Sequence, residues 1–345
     1  MSQIVDQLAD LTGLRDRDTL DVSLVTSIRD LVQRGSVAVH RVVGDPGDER
    51  WLTRATLGAD DVAARADSSW ADPRALPVLE QFPERLRCLR SATDIETVDR
   101  SNGQTTLLLP LPSDTGVAGV VEVSTGAPLD EAVRRLLGGV LRIYRNVQGL
   151  LDYSERDTLT GLLNRKSFDE TFYKASAAAV PLPLGTQAND RRQGGPAGFW
   201  LGVVDIDHFK QVNDRFGHLI GDEVLLLLSR IMRSCFRFYD QLYRFGGEEF
   251  VVLLRCTGED DAQAALERFR EAVRGYAFPQ VDRITVSVGF TDVRHGDTPS
   301  AAVERADRAV YWAKNHGRDQ VRCHAALVRE GRLEDEHKAG DIDLF

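Results

Sequence analysis

The chain has 345 residues, 42% of them hydrophobic, a length and composition typical of a protein with about two globular domains. Its formal net charge is −10 at pH 7, which argues against broad binding to nucleic acids or anionic membranes. No segment has the length and apolarity of a membrane span. The four cysteines lack CxxC or zinc-ligand spacing, so we expect a reducing, cytoplasmic setting.

Residues 1–127 are predicted to form one domain of helices and strands. Helical stretches alternate with strand-like segments, which are separated by turns rich in Gly, Pro and Asp. The predicted elements are, in chain order, a helix at 20–32, strands at 36–43 and 50–55, a helix at 75–89, and strands at 105–111 and 115–124. This order resembles a GAF-type sensory domain, with a PAS domain as the alternative. No motif identifies what this domain senses. The alternatives are a small molecule, a protein, or no ligand at all and a role in dimerisation alone.

Residues 128–157 are predicted to form a helical stalk between two domains. Apolar residues recur at alternating intervals of three and four, as in a heptad seam, and arginines lie off that seam. The seam residues are Val133, Leu136, Val140, Ile143, Val147 and Leu150. Two such helices side by side would form a homodimer. The alternative is a helix that packs on its own domain.

An apolar run from Phe199 to Val204 predicts a strand buried on both faces. The run ends in Asp205-Ile206-Asp207, and strand alternation sends both aspartates to the same face. A helix-forming stretch follows, so this is a place where α/β proteins bind ligands and where phosphate is favoured. The alternative is that the aspartates cap the next helix.

The segment from Arg244 to Phe250 predicts a tight hairpin. Gly246 and Gly247 allow positive φ and a close approach of a ligand to the backbone. Glu248 and Glu249 then stand at the tip, where their repulsion needs a cationic partner. Hard cations such as Mg²⁺ bind one or two carboxylates together with substrate phosphates. Asp205 and Glu248 would provide them if the two strands are neighbours, whereas an exposed acidic turn is the alternative.

Five motifs in order give the second half of the chain its resemblance to a known family. They are Asp157-x-Leu-Thr-Gly-Leu-x-Asn-Arg165, Asp205-x-Asp-x-Phe-Lys210, Gly246-Gly-Glu-Glu-Phe250, Ser287-x-Gly289 and Tyr311-x-Ala-Lys-x-x-Gly-Arg318. This set resembles the GGDEF family, the diguanylate cyclases, over residues 153 to 322. Asp319 departs from the family's usual Asn.

The resemblance implies an α/β (α+β) domain at 158–324, with a central, mostly antiparallel sheet flanked by helices. Residues 325–345 carry many acidic and few apolar side chains, and we expect a flexible tail there.

The resemblance also implies a reaction. The family condenses two GTP molecules into cyclic di-GMP and releases two pyrophosphates, with each 3′-hydroxyl attacking the other α-phosphate. Asp205, Glu248 and the carbonyl of Ile206 match the ligands of Mg²⁺ or Mn²⁺. Glu248 is the candidate acceptor of the hydroxyl proton, and Glu249 either contacts a second ion or tunes the site.

The substrate contacts are carried over in the same way. Backbone amides at the start of a helix would bind phosphate, two basic side chains four apart would neutralise the β- and γ-phosphates, and an amide and a carboxylate would read guanine rather than adenine. These residues are Phe209 and Lys210; Lys314 and Arg318; and Asn213 and Asp222, with Gly246 and Gly247 close to the ligand.

Arg237-x-x-Asp240, five residues before the glycines, matches the family's inhibitory product site, and Arg268 is a candidate third member. The resemblance therefore predicts a diguanylate cyclase that binds GTP and cyclic di-GMP and is inhibited by its product. The alternative function is a catalytically inactive receptor of GTP or cyclic di-GMP.

Overall fold

The structure is a computed structural model that describes residues 17–33, 35–44, 47–67, 75–99, 101, 103–113, 116–178 and 198–334. The chain divides into two compact units, residues 1–154 and 155–345. No helix among the described residues is long and apolar enough to cross a membrane.

The first unit is a five-stranded antiparallel sheet with helices on both faces. Its elements are α1 (Arg17–Val32), β1 (Gly35–Val43), β2 (Arg50–Leu57), α2 (Pro83–Ser91), β3 (Ile95–Val98), β4 (Thr105–Ser113), β5 (Gly116–Thr125) and α3 (Glu131–Glu155). The strand order is β2-β1-β5-β4-β3, and every neighbouring pair is antiparallel. The predicted sheet with helices is confirmed, while the GAF-like identity stays a prediction. The four-residue β3 was not predicted.

The helix α3 covers one face of this sheet together with α1. The buried residues of α3 belong to a core that also contains residues of α1 and of the sheet; they are Leu137, Val140, Tyr144, Val147 and Leu151. Of the predicted seam, Val140 and Val147 belong to this core, whereas Leu136 and Leu150 are 47% and 69% exposed. The helix α3 therefore packs on its own domain and is not a separate stalk, because the sheet has an apolar surface that α3 buries.

The second unit contains a six-stranded sheet with helices packed around it. Its elements are β6 (Leu163–Asn164), α4 (Arg165–Ala178), β7 (Gly198–Ile206), α5 (Phe209–Phe216), α6 (His218–Cys235), β8 (Gln241–Gly246), β9 (Glu249–Cys256), α7 (Glu259–Gly275), β10 (Val286–Asp292), α8 (Pro299–Asn315), β11 (Val321–Cys323) and α9 (His324–Arg329). The order is β11-β10-β7-β9-β8-β6, antiparallel in the centre and parallel at the two outer pairs. This confirms the predicted central, mostly antiparallel sheet.

Two local features place the functional residues. β7 lies between β9 and β10, and its end brings Asp205 opposite Glu249. The helix α8 packs closely on β10 at Gly289, where an added Cβ would lie 2.2 Å from the Ala306 carbonyl oxygen. Only glycine permits this approach, which fixes the helix that carries Lys314.

The predicted flexible tail is wrong for its first residues. The helix α9 spans His324–Arg329, its Leu327 is buried, and Ala325 and Ala326 are partly buried against the core of the second unit. The acidic residues beyond 334 lie outside the described part of the chain.

Candidate active site

The turn between β8 and β9 presents two glutamates at the end of the sheet. Gly246 and Gly247 have φ of 140° and 51°, as the paired glycines predicted. The pairing shifts between Arg244 and Gly246, so Phe245 bulges out of the ladder and packs against Phe168 with ring centroids 5.0 Å apart. The bulge and the glycines together set the position of Glu248 in the turn and of Glu249 at the start of β9.

The carboxylate of Asp205 lies in the middle of this charged group. Its Oδ1 is 2.7 Å from Nζ of Lys314, and the residue is 9% exposed. Burial raises the pKa of Asp205, the Lys314 ammonium opposes this, and Glu249 and Asp207 add to the rise. Burial also raises the pKa of Glu248, and the negative charge of Asp205 raises it further. The two predicted metal carboxylates are thus close enough to repel each other.

This group of residues fits a divalent cation. Oδ1 of Asp205 is buried and receives no hydrogen bond of good geometry, so its partner is the positive charge of Lys314. Crowded acceptor-only oxygens of this kind are the ligands that Mg²⁺ and Mn²⁺ take. Among the described residues, no three His, Cys, Asp or Glu side chains already form a metal site. The predicted ligand set has two carboxylates and the carbonyl of Ile206, the last residue of β7.

Asp207 has a different role from Asp205, although both end the same strand. Its carboxylate accepts hydrogen bonds from Thr285 Oγ1 at 2.6 Å, Ser287 Oγ at 2.7 Å and the Asp319 amide at 3.1 Å. It does not cap α5, whose N-cap His208 makes no side-chain capping bond. Asp207 therefore ties the end of β7 to β10 and to the turn after α8.

Asp307 is a further member of the charged group, which the motifs did not indicate. Burial raises its pKa to about 6, with further contributions from the charges of Glu249 and Asp205, while Lys314 and Arg165 act in the opposite direction. It lies seven residues before Lys314 on α8, two turns along one face. That spacing was a signal that could have identified it.

A cavity of about 490 Å³ opens beside the hairpin. Residues from α4, the bulge of β8 and α8 line it, including Arg165, Phe168, Phe245, Asp307 and Tyr311. Asp307 therefore connects this cavity to the carboxylates of the site.

The predicted phosphate contacts lie on two elements. α5 begins at Phe209, three residues after β7 ends at Ile206, and Lys210 is exposed on its first turn. The amides of Phe209 and Lys210 are therefore at the N-terminus of a helix, where anions are favoured. The prediction that Lys314 and Arg318 share a helical face is wrong. The helix α8 ends at Asn315, and Arg318 lies in the following turn with φ of 60°, because its amide bonds back to the Ala313 carbonyl at 3.0 Å.

The two predicted guanine contacts come from neighbouring helices. Asn213 lies on α5, and its Oδ1 is so close to α6 that a Cβ on Gly221 would be 2.0 Å away. Asp222 follows Gly221 and is exposed in the second turn of α6, whose N-cap is Gly217. The structure thus places Asn213 against Gly221, the residue before Asp222, and the side chain of Asp222 is exposed.

The three predicted inhibitory-site residues also meet. The amide of Arg237 donates to Oδ2 of Asp240 at 2.9 Å, and Arg268 donates to the Cys235 carbonyl at 2.9 Å. Burial raises the pKa of Asp240 to about 6, while backbone hydrogen bonds and the charges of Arg237 and Arg268 oppose the rise. Two guanidinium groups therefore act on one carboxylate at the surface of the domain.

Known proteins are similar to the second unit of the chain. Residues 154–320 match the family model described as diguanylate cyclase, GGDEF domain. Diguanylate cyclase DgcP of Pseudomonas aeruginosa is 40% identical over 168 residues, 48% of this chain and 23% of that protein. Diguanylate cyclase DgcZ of Escherichia coli is 35% identical over 170 residues, 48% of this chain and 52% of that protein. The chain thus spans about half or less of the length of these relatives.

Solved structures give the same kind of match. The coiled coil and GGDEF domain of DgcB from Caulobacter crescentus, in complex with c-di-GMP, is 27% identical, with 56% of this chain and 97% of that chain covered and a TM-score of 0.46. The active GGEEF domain of a diguanylate cyclase from Vibrio cholerae is 32% identical, with 47% and 97% covered and a TM-score of 0.40.

Proposed function

We propose that the GGDEF domain formed by residues 154–320 is a diguanylate cyclase, which condenses two GTP molecules into cyclic di-GMP and two pyrophosphates. The observation that carries the proposal is the convergence of Asp205, Glu248 and Lys314 at one end of β7. Further support comes from curated relatives that are named as diguanylate cyclases and share 35% to 40% identity across this half of the chain.

A divalent cation, Mg²⁺ or Mn²⁺, would be held by Asp205, Glu248 and the Ile206 carbonyl, and would supply charge neutralisation and a lower pKa for the attacking hydroxyl. Glu248 is half-buried at the turn and receives the hydroxyl proton. Glu249 is exposed, lies opposite Asp205, and adjusts the charge of the site. Phosphoryl transfer needs mainly positioning and electrostatic stabilisation, which these residues provide.

The substrate is positioned by groups around this centre. The first amides of α5, at Phe209 and Lys210, bind phosphate oxygens, and Lys314 and Arg318 neutralise the outer phosphates. When the triphosphate enters, Lys314 exchanges its ion pair with Asp205 for the phosphates. Asn213 and Asp222 read the guanine edge, because a carboxylate accepts from both N–H groups that guanine offers and adenine lacks.

The activity also depends on a second copy of the chain, on the inhibitory site and on the first unit. Each GGDEF domain holds one GTP, so two copies of the chain must meet as a homodimer for the condensation. Arg237, Asp240 and Arg268 bind cyclic di-GMP and inhibit the enzyme. The first unit is the input domain, which takes a small molecule or a protein as its signal. All four cysteines are free, which fits a cytoplasmic setting.

The test is incubation of the purified protein with GTP and Mg²⁺, followed by mass spectrometry of the products. Wild type is expected to form cyclic di-GMP, and Glu248→Gln to lose about a hundredfold or more in rate because the site then lacks both a cation ligand and a proton acceptor. Glu131→Gln is the matched control, since it removes the same charge from a side chain that is 90% exposed on α3. A confirmed dimer that binds GTP but forms no product would instead indicate a receptor.

A further inference from the structure

The guanidinium of Arg244 joins two loops of the second unit. Its Nε and Nη2 donate to the carbonyl of Gly247 at 3.2 and 2.9 Å. Its Nη1 donates to both carboxylate oxygens of Asp157 at 3.0 and 3.2 Å. The side chain of Arg244 is only 11% exposed. One planar group is therefore held on one edge by the catalytic turn and on another by a second loop.

That second loop, residues 156–162, is built rigidly; we call it the entry loop. Asp157 Oδ1 accepts from the amide and the hydroxyl of Thr160 at 2.8 and 2.7 Å, and the Asp157 amide donates to the Leu162 carbonyl at 2.8 Å. Arg233 of α6 donates to the Thr160 carbonyl at 2.8 Å. The entry loop starts directly after Glu155, where α3 ends.

Within the catalytic turn, Gly246 pairs with Glu249 across the two strands, whereas Gly247 and Glu248 lie at the tip outside this pairing. Gly246 and Gly247 have no side chains, and a Cβ built on either would meet nothing within 4 Å. Glycine has the widest choice of backbone conformations, so this turn has many alternatives unless something holds it. The contacts from Arg244 fall on the Gly247 carbonyl, which belongs to the peptide that leads into Glu248. A rotation of that peptide would re-aim Glu248.

We propose that Arg244 is a positioning residue, which fixes the peptide between Gly247 and Glu248 and takes its own position from Asp157 in the entry loop. The inference rests on the proposed function, because it assigns Arg244 to the orientation of the reacting glutamate. Misplacement of a reacting group by about 1 Å costs about a hundredfold in rate, so a change at Asp157 is passed to the active site through this one side chain. Lysine cannot replace it, because an ammonium lacks the fork that serves both partners.

The kinetic test compares Arg244→Gln and Arg244→Lys with Arg233→Gln. The control removes a hydrogen bond from the same entry loop but none from the catalytic turn. Both Arg244 variants are expected to lower kcat about tenfold or more, with KM for GTP changed less than about threefold, since orientation and not binding is lost. Arg233→Gln should retain kcat within about threefold. Equal losses at both positions, or full activity of Arg244→Lys, would overturn the proposal.

A double variant tests the link to the entry loop. Asp157→Asn should lower kcat, and Asp157→Asn with Arg244→Gln should be no slower than Arg244→Gln alone, because the amide oxygen can still accept from Thr160 and both changes weaken the same contact between Asp157 and Arg244. Losses that multiply would contradict the link.

Hydrogen exchange of the nucleotide-free full-length protein separates this proposal from the proposed function. Exchange across residues 246–250 should be about fivefold or more faster in Arg244→Gln than in Arg233→Gln, since only the former frees the turn. Equal exchange would overturn the positioning role. If the wild type made no cyclic di-GMP, faster exchange would still support that role while the proposed activity failed.

Discussion

Asp240 is a carboxylate whose charge changes close to neutral pH. Its pKa is raised to about 6 because burial outweighs the backbone hydrogen bonds and the charges of Arg237 and Arg268. Since the folded pKa lies above the unfolded value, the stability that this group contributes is present below pH 4 and is lost as pH rises through about 6. A bound ligand that donates hydrogen bonds to the charged carboxylate offsets this loss.

Binding of cyclic di-GMP at this site should therefore depend on pH. We use the Glu248→Gln variant because its turnover is expected to be slower by about a hundredfold or more. Its Kd for cyclic di-GMP is expected to fall as pH rises from 5 to about 7, by up to about tenfold per pH unit below the pKa of Asp240. Asp240→Asn in the same background is the control and should bind weakly with little pH dependence. Isothermal titration calorimetry measures both, and a pH-independent Kd for the variant that retains Asp240 would contradict the assignment.

Sequence patterns pointed to the two aspartates at the end of β7 but did not predict that they have different partners. The apolar run predicted a strand that ends in Asp205-Ile206-Asp207, and β7 ends at Ile206. Strand alternation, however, treated Asp205 and Asp207 alike. The difference arises from other segments of the chain: Thr285, just before β10, and Ser287 in β10 donate to Asp207, whereas Asp205 forms an ion pair with Lys314 of α8. Contacts between segments that are distant in sequence cannot be predicted from the spacing of residues within one segment.

The helix α3 shows the same limit at the scale of an element. Its periodicity predicted the helix, but a repeat close to 3.5 residues fits both a seam between copies and a stripe facing a sheet. The structure assigns Val140 and Val147 to the sheet, and Tyr144 is buried there with its hydroxyl donating to Asp21 and accepting from Arg41 at 2.7 Å. Leu136 and Leu150 remain exposed.

Two substitutions distinguish the faces of α3. Val147→Asn should lower the free energy of unfolding of the first unit by about 2–4 kcal/mol, because an amide without partners enters the core. Leu150→Asn should change it by less than about 0.5 kcal/mol, since Leu150 is 69% exposed. Urea unfolding measures both. Equal effects would contradict the packing of α3 on its own sheet, and sedimentation of Leu150→Asn reports whether the exposed face contributes to dimerisation.

At the scale of the whole molecule, the sequence predicted two sheet-containing parts and the central antiparallel sheet of the second. It placed a connecting stalk at 128–157, whereas the chain divides into its two compact units between Ser154 and Glu155. The difference has a physical cause, because the apolar face of α3 completes the core of the first unit. The second unit carries all the proposed catalytic groups, and the first leads into it through the last residue of α3.

The central claim is that Asp205 and Glu248 hold one divalent cation beside the triphosphate. Electron paramagnetic resonance of Mn²⁺ tests it directly, in the presence of a GTP analogue that cannot react. We expect Asp205→Asn and Glu248→Gln each to weaken Mn²⁺ binding about tenfold or more, because each removes a charged ligand, while Glu131→Gln leaves it unchanged. Unaltered Mn²⁺ affinity in either site variant would contradict the account.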